Sequence, residues 1–219
     1  DVGFVVDPYV DRLAIVTEKG EMFGEEYTLV AIADYVLQNT PGNTVSNMSS
    51  SRALRDVTQR YGGKYSASAV GEVNVVQQMK DSEAIIGGEG NGGIIYPELH
   101  YGRDSLVGIA LFLSYLADIS ISVSQLRKEY PSYFMSKKKI ELTPSLDVDA
   151  ILKAMEVKYA SEELNTIYGL KIDFETNWVH LRKSNTEPII RIYTEASSQE
   201  KADALADRFI DEIREITNL

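Results

Sequence analysis

The sequence predicts two successive layers of different class: an α/β domain with a mixed, largely parallel sheet, then an α+β domain with a mostly antiparallel sheet. Three observations carry that reading. Strand-like and helix-like segments alternate between residues 44 and 86, which calls for parallel strands joined by crossover helices. Residues 122–136 turn polar and aromatic around Pro131, marking a boundary. Beyond it come a hairpin, one more strand and a long amphipathic helix, the order expected of helices laid on one face of an antiparallel sheet.

Phe4-Val5-Val6, the apolar run 13–16, Lys19-Gly20 and Met22-Phe23 read as a hairpin. A helix follows over 25–37, with Leu29, Ile32, Ala33 and Val36 on one face, and Pro41-Gly42-Asn43 ends it. Residues 44–48 then read as strand, 51–61 as helix closed by Gly62-Gly63, 64–68 as strand, 71–79 as helix and 83–86 as strand. Asp104 or Ser105 can cap the next helix. Its apolar residues (Leu106, Val107, Ile109, Leu111, Phe112, Leu113, Leu116) run all round and predict complete burial. After the boundary, 140–142 reads as strand, 147–159 as helix, and 170–174 with 178–182 as a hairpin over Glu175-Thr176-Asn177. Residues 189–196 form a further strand, and Lys137-Lys138-Lys139 a solvated strand entry. Ser197-x-x-Glu200 reads as a capping box, and Ala202, Leu205, Ala206, Phe209, Ile210, Ile213 and Ile216 make one stripe at helical spacing. The domains follow as 1–20, 21–127 and 128–219.

The 219 residues hold 22 basic and 33 acidic side chains, a net charge of −11, no cysteine and 2 histidines. With 44% hydrophobic and 25% charged residues the composition is that of a globular protein, which excludes disorder, collagen and coiled coil. Without cysteine there is no disulfide framework and no thiolate zinc site. The negative charge argues against nucleic-acid and anionic-membrane surfaces. The longest apolar stretch, 106–117, is too short to span a bilayer. The chain opens Asp1-Val2-Gly3-Phe4, without methionine or a signal-like start, and reads as a soluble, cytoplasmic piece of something longer.

Four constellations can carry chemistry. Gly87-Gly88-Glu89-Gly90-Asn91-Gly92-Gly93 matches G-x-G-x-x-G formally, but Ile94-Ile95-Tyr96-Pro97 follows where a dinucleotide site needs a helix. What remains is an exposed loop presenting Glu89 and Asn91, a carboxylate and a carboxamide suited to vicinal hydroxyls, or else a plain flexible turn. Residues 182–191, Arg-Lys-Ser-Asn-Thr-Glu-Pro-Ile-Ile-Arg, join two strands. Arg182 and Arg191 can fork onto phosphate oxygens while Ser184, Asn185, Thr186 and loop N–H groups converge on the same anion. Asp7-Pro8-Tyr9-Val10-Asp11-Arg12 places two carboxylates four apart, where they could share a hard divalent cation or form a solvated acidic turn. His100 lies near the glycine segment and is a candidate for proton transfer, against the plainer reading of a loop histidine. His180 alternates with Trp178 and Arg182 along one strand and reads as structural.

Together these segments resemble the phosphohexomutases: phosphoglucomutase, phosphomannomutase and phosphoglucosamine mutase. Residues 7–12 resemble the family's metal loop D-G-D-x-D-R, at the end of its second domain. Residues 88–93 resemble the third domain's sugar loop G-E-x-S-G-H, and residues 182–191 the fourth domain's phosphate loop R-x-S-x-T-E-P-x-x-R. The resemblance implies an intramolecular phosphotransferase, in which a phosphoserine of a first domain, absent from this chain, gives its phosphoryl group to a hexose phosphate. The hexose bisphosphate then turns end to end, with Mg²⁺ assisting. It further implies that Glu89 and Asn91 hold sugar hydroxyls. Arg182, Ser184, Asn185, Thr186 and Arg191 would grip the phosphate that is not transferred, a division that suits a reaction made mostly of positioning and charge stabilisation. Asp7 and Asp11 would be metal ligands, although Tyr9 stands where the middle carboxylate belongs and a phenol is a poor Mg²⁺ ligand. Gly93 replaces the histidine of the sugar loop, leaving His100 as the acid/base candidate. The chain is expected to be the C-terminal half of such an enzyme, inactive alone, with hexose phosphates and the missing N-terminal domains as partners. The alternative is a non-catalytic sugar-phosphate-binding or interaction module of the same fold.

Overall fold

The structure, a computed structural model, describes residues 1–142, 146–184 and 189–217. The chain divides into two units, Asp1–Pro131 and Ser132–Leu219.

The first unit opens with an antiparallel hairpin, β1 (Gly3–Val6) and β2 (Leu13–Val16), in which Phe4 faces Ile15. α1 (Glu25–Asn39) follows, with Glu25 and Glu26 in its first turn, where the helix dipole favours negative charge. Then come β3 (Asn43–Asn47), α2 (Ala53–Arg60), β4 (Tyr65–Ser68), α3 (Glu72–Asp81), β5 (Ala84–Glu89) and β6 (Gly93–Ile95). The sheet order is β4-β3-β5-β6, with β3 parallel to both neighbours and β6 antiparallel to β5. Neighbouring residues of β3 point to opposite faces. Thr44 hydrogen-bonds Thr58 of α2 at 2.6 Å, whereas Val45 packs with Val75 and Met79 of α3. The two helices therefore cover opposite faces. Loops leaving the C-terminal ends of β3, β4 and β5 gather at one edge, where doubly wound sheets hold ligands.

α4 (Ser105–Ile119) is capped by Asp104, whose carboxylate accepts the N–H groups of Leu106 and Val107. The expectation that this helix is buried all round fails. Ser105, Gly108, Phe112 and Tyr115 face inward, but Leu106 is 64% and Leu113 44% exposed. Only one side meets α1, β2 and β6, so its apolar composition exceeds what its packing uses. α5 (Val123–Lys128) lies in the stretch read as a boundary and carries a capping box of Ser122 and Gln125. Glu18 anchors its start, accepting from the Ser124 N–H and hydroxyl; the hydroxyl chiefly holds that carboxyl down at about 2.

A carboxylate inside the unit ties four segments together. Asp34 of α1, 2% exposed, accepts from the hydroxyls of Tyr61 at 2.7 Å, Tyr115 at 2.8 Å and Tyr130 at 2.8 Å. Burial first and the hydrogen bond to Asp34 second push the Tyr61 phenol up to about 12, and burial followed by the Asp34 charge pushes the Tyr130 phenol well above its ordinary value.

The second unit comprises β7 (Phe134–Glu141), α6 (Val148–Lys158), β8 (Glu163–Asn165), β9 (Leu170–Asp173), β10 (Trp178–Lys183), β11 (Ile189–Ala196) and α7 (Gln199–Thr217). Its sheet is antiparallel throughout, in the order β7-β11-β10-β9-β8. Alternate residues Leu181, Val179, Ile190 and Ile192 face Met155 of α6 and Phe209 and Ile213 of α7 in one core. Three readings change. Lys137-Lys138-Lys139 lies inside β7 rather than at its entry, β8 was not foreseen, and α7 starts one residue later than the expected box. Ser198, not Ser197, caps it: its hydroxyl accepts the Lys201 N–H at 3.2 Å and its carbonyl the Ala202 N–H at 3.0 Å. No helix among the described residues is long and apolar enough to cross a membrane.

Candidate functional site

Candidate residues form two groups, one in each unit. In the first, β5 runs on through Gly87 and Gly88 to Glu89 instead of ending at Ile86. Glycine is required there by packing. A Cβ on Gly87 would lie 2.6 Å from the Met79 sulfur and 2.8 Å from the Val45 carbonyl. Glu89 is thus not on an exposed loop, as the glycines suggested; it ends a buried strand and is 5% exposed. Its Oε1 accepts from Asn47 Nδ2 at 2.9 Å and the Gly71 N–H at 3.3 Å. Oε2 pairs with Arg103 Nη1 at 2.9 Å.

Arg103 also forks onto Asp11 through Nη2 and sits 3.3 Å from Glu72 through Nε, while its own N–H donates to Glu72 at 2.9 Å. One guanidinium thereby joins the acidic loop, the first turn of α3 and the end of β5. Sequence reasoning missed it. The available signal was that Arg103 is the single Lys or Arg between Lys80 and Arg127.

Asn91 accepts the Gly93 N–H at 3.2 Å and lines a cleft of about 320 Å³ with Val6, Asp7, Arg12 and Glu25. The loop is pinned beside β2. The Leu13 N–H donates to the Gly92 carbonyl at 3.0 Å, and Gly92 has φ +82 with its missing Cβ 2.2 Å from the Leu13 carbonyl.

In the acidic loop, Asp7 Oδ1 accepts the N–H groups of Asp11 at 3.0 Å and Arg12 at 3.2 Å. Partial desolvation raises the Asp7 carboxyl, and these N–H bonds outweigh it, leaving it below the usual carboxylate range. Val10 has φ 58, and Tyr9 projects outward, 88% exposed. Among the described residues no group of three or more His, Asp or Glu is arranged to hold a metal ion. His100 pairs with Asp104 at 3.0 Å, with its side chain 49% exposed. Its partner is therefore the cap of α4, not Glu89 or Asn91.

In the second unit, Arg182 of β10 and Arg191 of β11 are direct cross-strand partners, and Lys139 of β7 is opposite Arg191. Directly opposed residues share a face, so three cations form a row across three strands. Like charges so placed repel. Arg182 is held by aromatic faces, 5.3 Å from the Tyr193 ring centroid and 5.9 Å from that of Tyr168, and its buried Nε finds no acceptor among the described residues. The row is felt by Tyr193: burial raises its phenol, yet Arg182, Lys137 and Arg191 together hold it below its ordinary value. Lys183, alternating to the other face, is tied to Asp149 at 2.8 Å. The Ser184 N–H donates to the Ile189 carbonyl at 3.1 Å and closes the neck of the connecting loop. Asn185 and Thr186 lie outside the described residues. His180 is fully buried, bonded to the Tyr168 carbonyl at 2.7 Å, and its imidazole is pushed down to about 4, chiefly by burial.

Comparisons with known proteins agree on one family. The family model "Phosphoglucomutase/phosphomannomutase, alpha/beta/alpha domain III" matches residues 24–133, and that of the C-terminal domain matches 137–212. A probable phosphoglucosamine mutase of Methanopyrus kandleri is 31% identical over 216 residues, covering 98% of this chain and 48% of that protein. A phosphoglucomutase/phosphomannomutase of Thermococcus kodakarensis is 35% identical over 205 residues, covering 92% and 44%. The chain thus spans about half the length of the curated relatives it matches. Among solved structures, a phosphoglucomutase/phosphomannomutase family protein from Burkholderia thailandensis superposes with a TM-score of 0.83 at 25% identity, over 98% of this chain and 46% of that one. An Aspergillus fumigatus N-acetylphosphoglucosamine mutase, solved in complex with GlcNAc-6P and magnesium, shares the fold at a TM-score of 0.66 and 14% identity, over 95% and 51%.

Proposed function

This chain belongs to the phosphoglucomutase/phosphomannomutase family, and on that premise we propose that it supplies the sugar- and phosphate-recognising part of a phosphohexomutase. The whole protein would move a phosphoryl group between the 1- and 6-positions of a hexose phosphate, by way of a hexose bisphosphate and a phosphoserine that these residues do not include. By themselves they would bind without turnover, in a reducing, cytoplasmic setting that the cysteine-free composition suits.

The observation that carries the reading is the opposition of Arg182 and Arg191 beside the neck of the loop closed by Ser184 and Ile189. A row of like charges is costly on its own and favourable once a phosphate dianion sits among it, with Arg forks matching its oxygens. Glu89 suits a sugar hydroxyl. An ionised carboxylate offers about four lone-pair positions; Asn47, Gly71 and Arg103 take three, and the fixed donors orient what remains. The Asn91 amide can donate to a neighbouring hydroxyl. His100, held to the α4 cap, has no supporting geometry beyond its nearness in sequence, and its acid/base role remains a proposal on the resemblance alone.

Magnesium would assist phosphoryl transfer in such an enzyme, but the acidic loop here does not fit it. Asp7 and Asp11 are engaged with N–H groups and Arg103, and Tyr9 offers only a phenol. Tyr9 favours a second reading, a sugar-phosphate-binding module without catalysis.

Calorimetric titration of the chain with glucose 1-phosphate tests the first claim. Arg182→Ala and Arg191→Ala should each weaken binding at least tenfold, about 1.4 kcal/mol; unchanged affinity removes the phosphate assignment. Turnover of glucose, mannose or glucosamine 1-phosphate by the whole protein separates mutase from module.

A further inference from the structure

A hard divalent cation such as Mg²⁺ or Mn²⁺ requires about six oxygen ligands and draws its charge balance from carboxylates. The loop 7–12 contains two. Asp7 uses Oδ1 to hold the backbone of Asp11 and Arg12 in place, a bond that shapes the loop. Asp11 lies on Arg103, in an ion pair whose side chains are 15% and 23% exposed. A metal arriving at Asp11 would have to displace that guanidinium or share the carboxylate with it. Tyr9, 88% exposed, adds only a neutral phenol. Meanwhile Arg103 collects carboxylates from three separate elements: Asp11, Glu72 and Glu89.

We propose that Arg103 occupies the electrostatic place of a divalent cation in this chain, leaving the loop 7–12 without a metal. The guanidinium gathers the acidic loop, α3 and the end of β5 as a metal would, but with fixed fork geometry rather than exchangeable ligands. Tyr9 and Arg103 are the two obstacles to metal, and each is removable by one substitution. The inference goes beyond the proposed function, which requires no metal at the loop 7–12.

The test is Mn²⁺ titration of the whole chain, read from the electron paramagnetic resonance signal of free Mn²⁺, with circular dichroism confirming that each variant is folded. The wild-type chain should take up no Mn²⁺ at millimolar concentration. Tyr9→Asp should take up one per chain, and Tyr9→Asp with Arg103→Gln should bind it at least tenfold tighter. Should the double variant not fold, Tyr9→Asp with Arg103→Lys, which weakens the fork, serves the same comparison and should bind more tightly than Tyr9→Asp alone. Wild-type uptake of one Mn²⁺ that Asp7→Asn abolishes would overturn the proposal. So would affinity in the Arg103 double variants no greater than in Tyr9→Asp, because Arg103 would then not be the competitor. Sugar-phosphate affinity is not among these readouts, so failure here leaves the proposed function standing.

Discussion

Removing the Asp34 carboxylate should destabilise the first unit by an amount its geometry sets. Three phenols donate to it. Tyr115 and Tyr130 are 5% and 3% exposed, so in Asp34→Ala their hydroxyls lose an acceptor where water has little access. A buried donor left unpaired costs about 1–3 kcal/mol. Tyr61 is only half-buried and can turn to water, adding about 0.5 kcal/mol. Relief from burying a charge subtracts from the total. The net loss should be about 4 kcal/mol for Asp34→Ala and about 2 kcal/mol for Asp34→Asn, whose amide oxygen still accepts but carries no charge. Urea denaturation followed by far-UV circular dichroism measures it: with a slope of about 2 kcal/mol per molar, the alanine variant's midpoint should fall by about 2 M. A cycle with Tyr115→Phe and Tyr130→Phe supplies the control, because once those hydroxyls are gone, removing the carboxylate should cost far less. A loss below about 1 kcal/mol for Asp34→Ala would refute the reasoning, since desolvation would then be cancelling the hydrogen bonds.

Acid should weaken the second unit through His180. Its folded value of about 4 lies below the ordinary 6.5, so the fold favours the neutral ring; the benefit is complete above pH 6.5 and disappears as pH falls toward 4, about 3 kcal/mol in all. An NMR titration showing the His180 ring protonating near 6.5 would contradict this. Gly92→Ala should lower the melting temperature through a loss of about 2 kcal/mol or more, because its φ of +82 and the Leu13 carbonyl 2.2 Å from the new Cβ both resist a side chain. An unchanged melt would mean that the loop is not pinned to β2.

The fold class was legible because periodicity is local: the alternation over 44–86 and the stripe on α7 are written within a few turns of chain. What the sequence could not show depends on long separations. The glycines around Glu89 read as a loop, since glycine serves loops and close packing alike, and only Met79 and the Val45 carbonyl decide between them. Arg103 meets partners from three distant places, and no motif announces that meeting. The apolar surface of α4 told how hydrophobic the helix is, not how many of its sides find a neighbour. Arg182 and Arg191 were visible as motif residues, but their direct opposition follows from the register of β10 on β11.

That register has a consequence for synthesis. Among the described residues β7, the first strand of the second unit, pairs with β11, its last, and no other strand, from Glu141 opposite Ile189 to Phe134 opposite Ala196. A ribosome delivers β7 long before its partner exists. The β9–β10 hairpin can close in microseconds as soon as both arms emerge. β7 cannot complete its pairing until Ala196 has been made, and pairings across so long a loop are intrinsically slow to form. During that interval it is an unpaired strand, and Lys137, Lys138 and Lys139 are the kind of charge that keeps such an edge from pairing with a stranger.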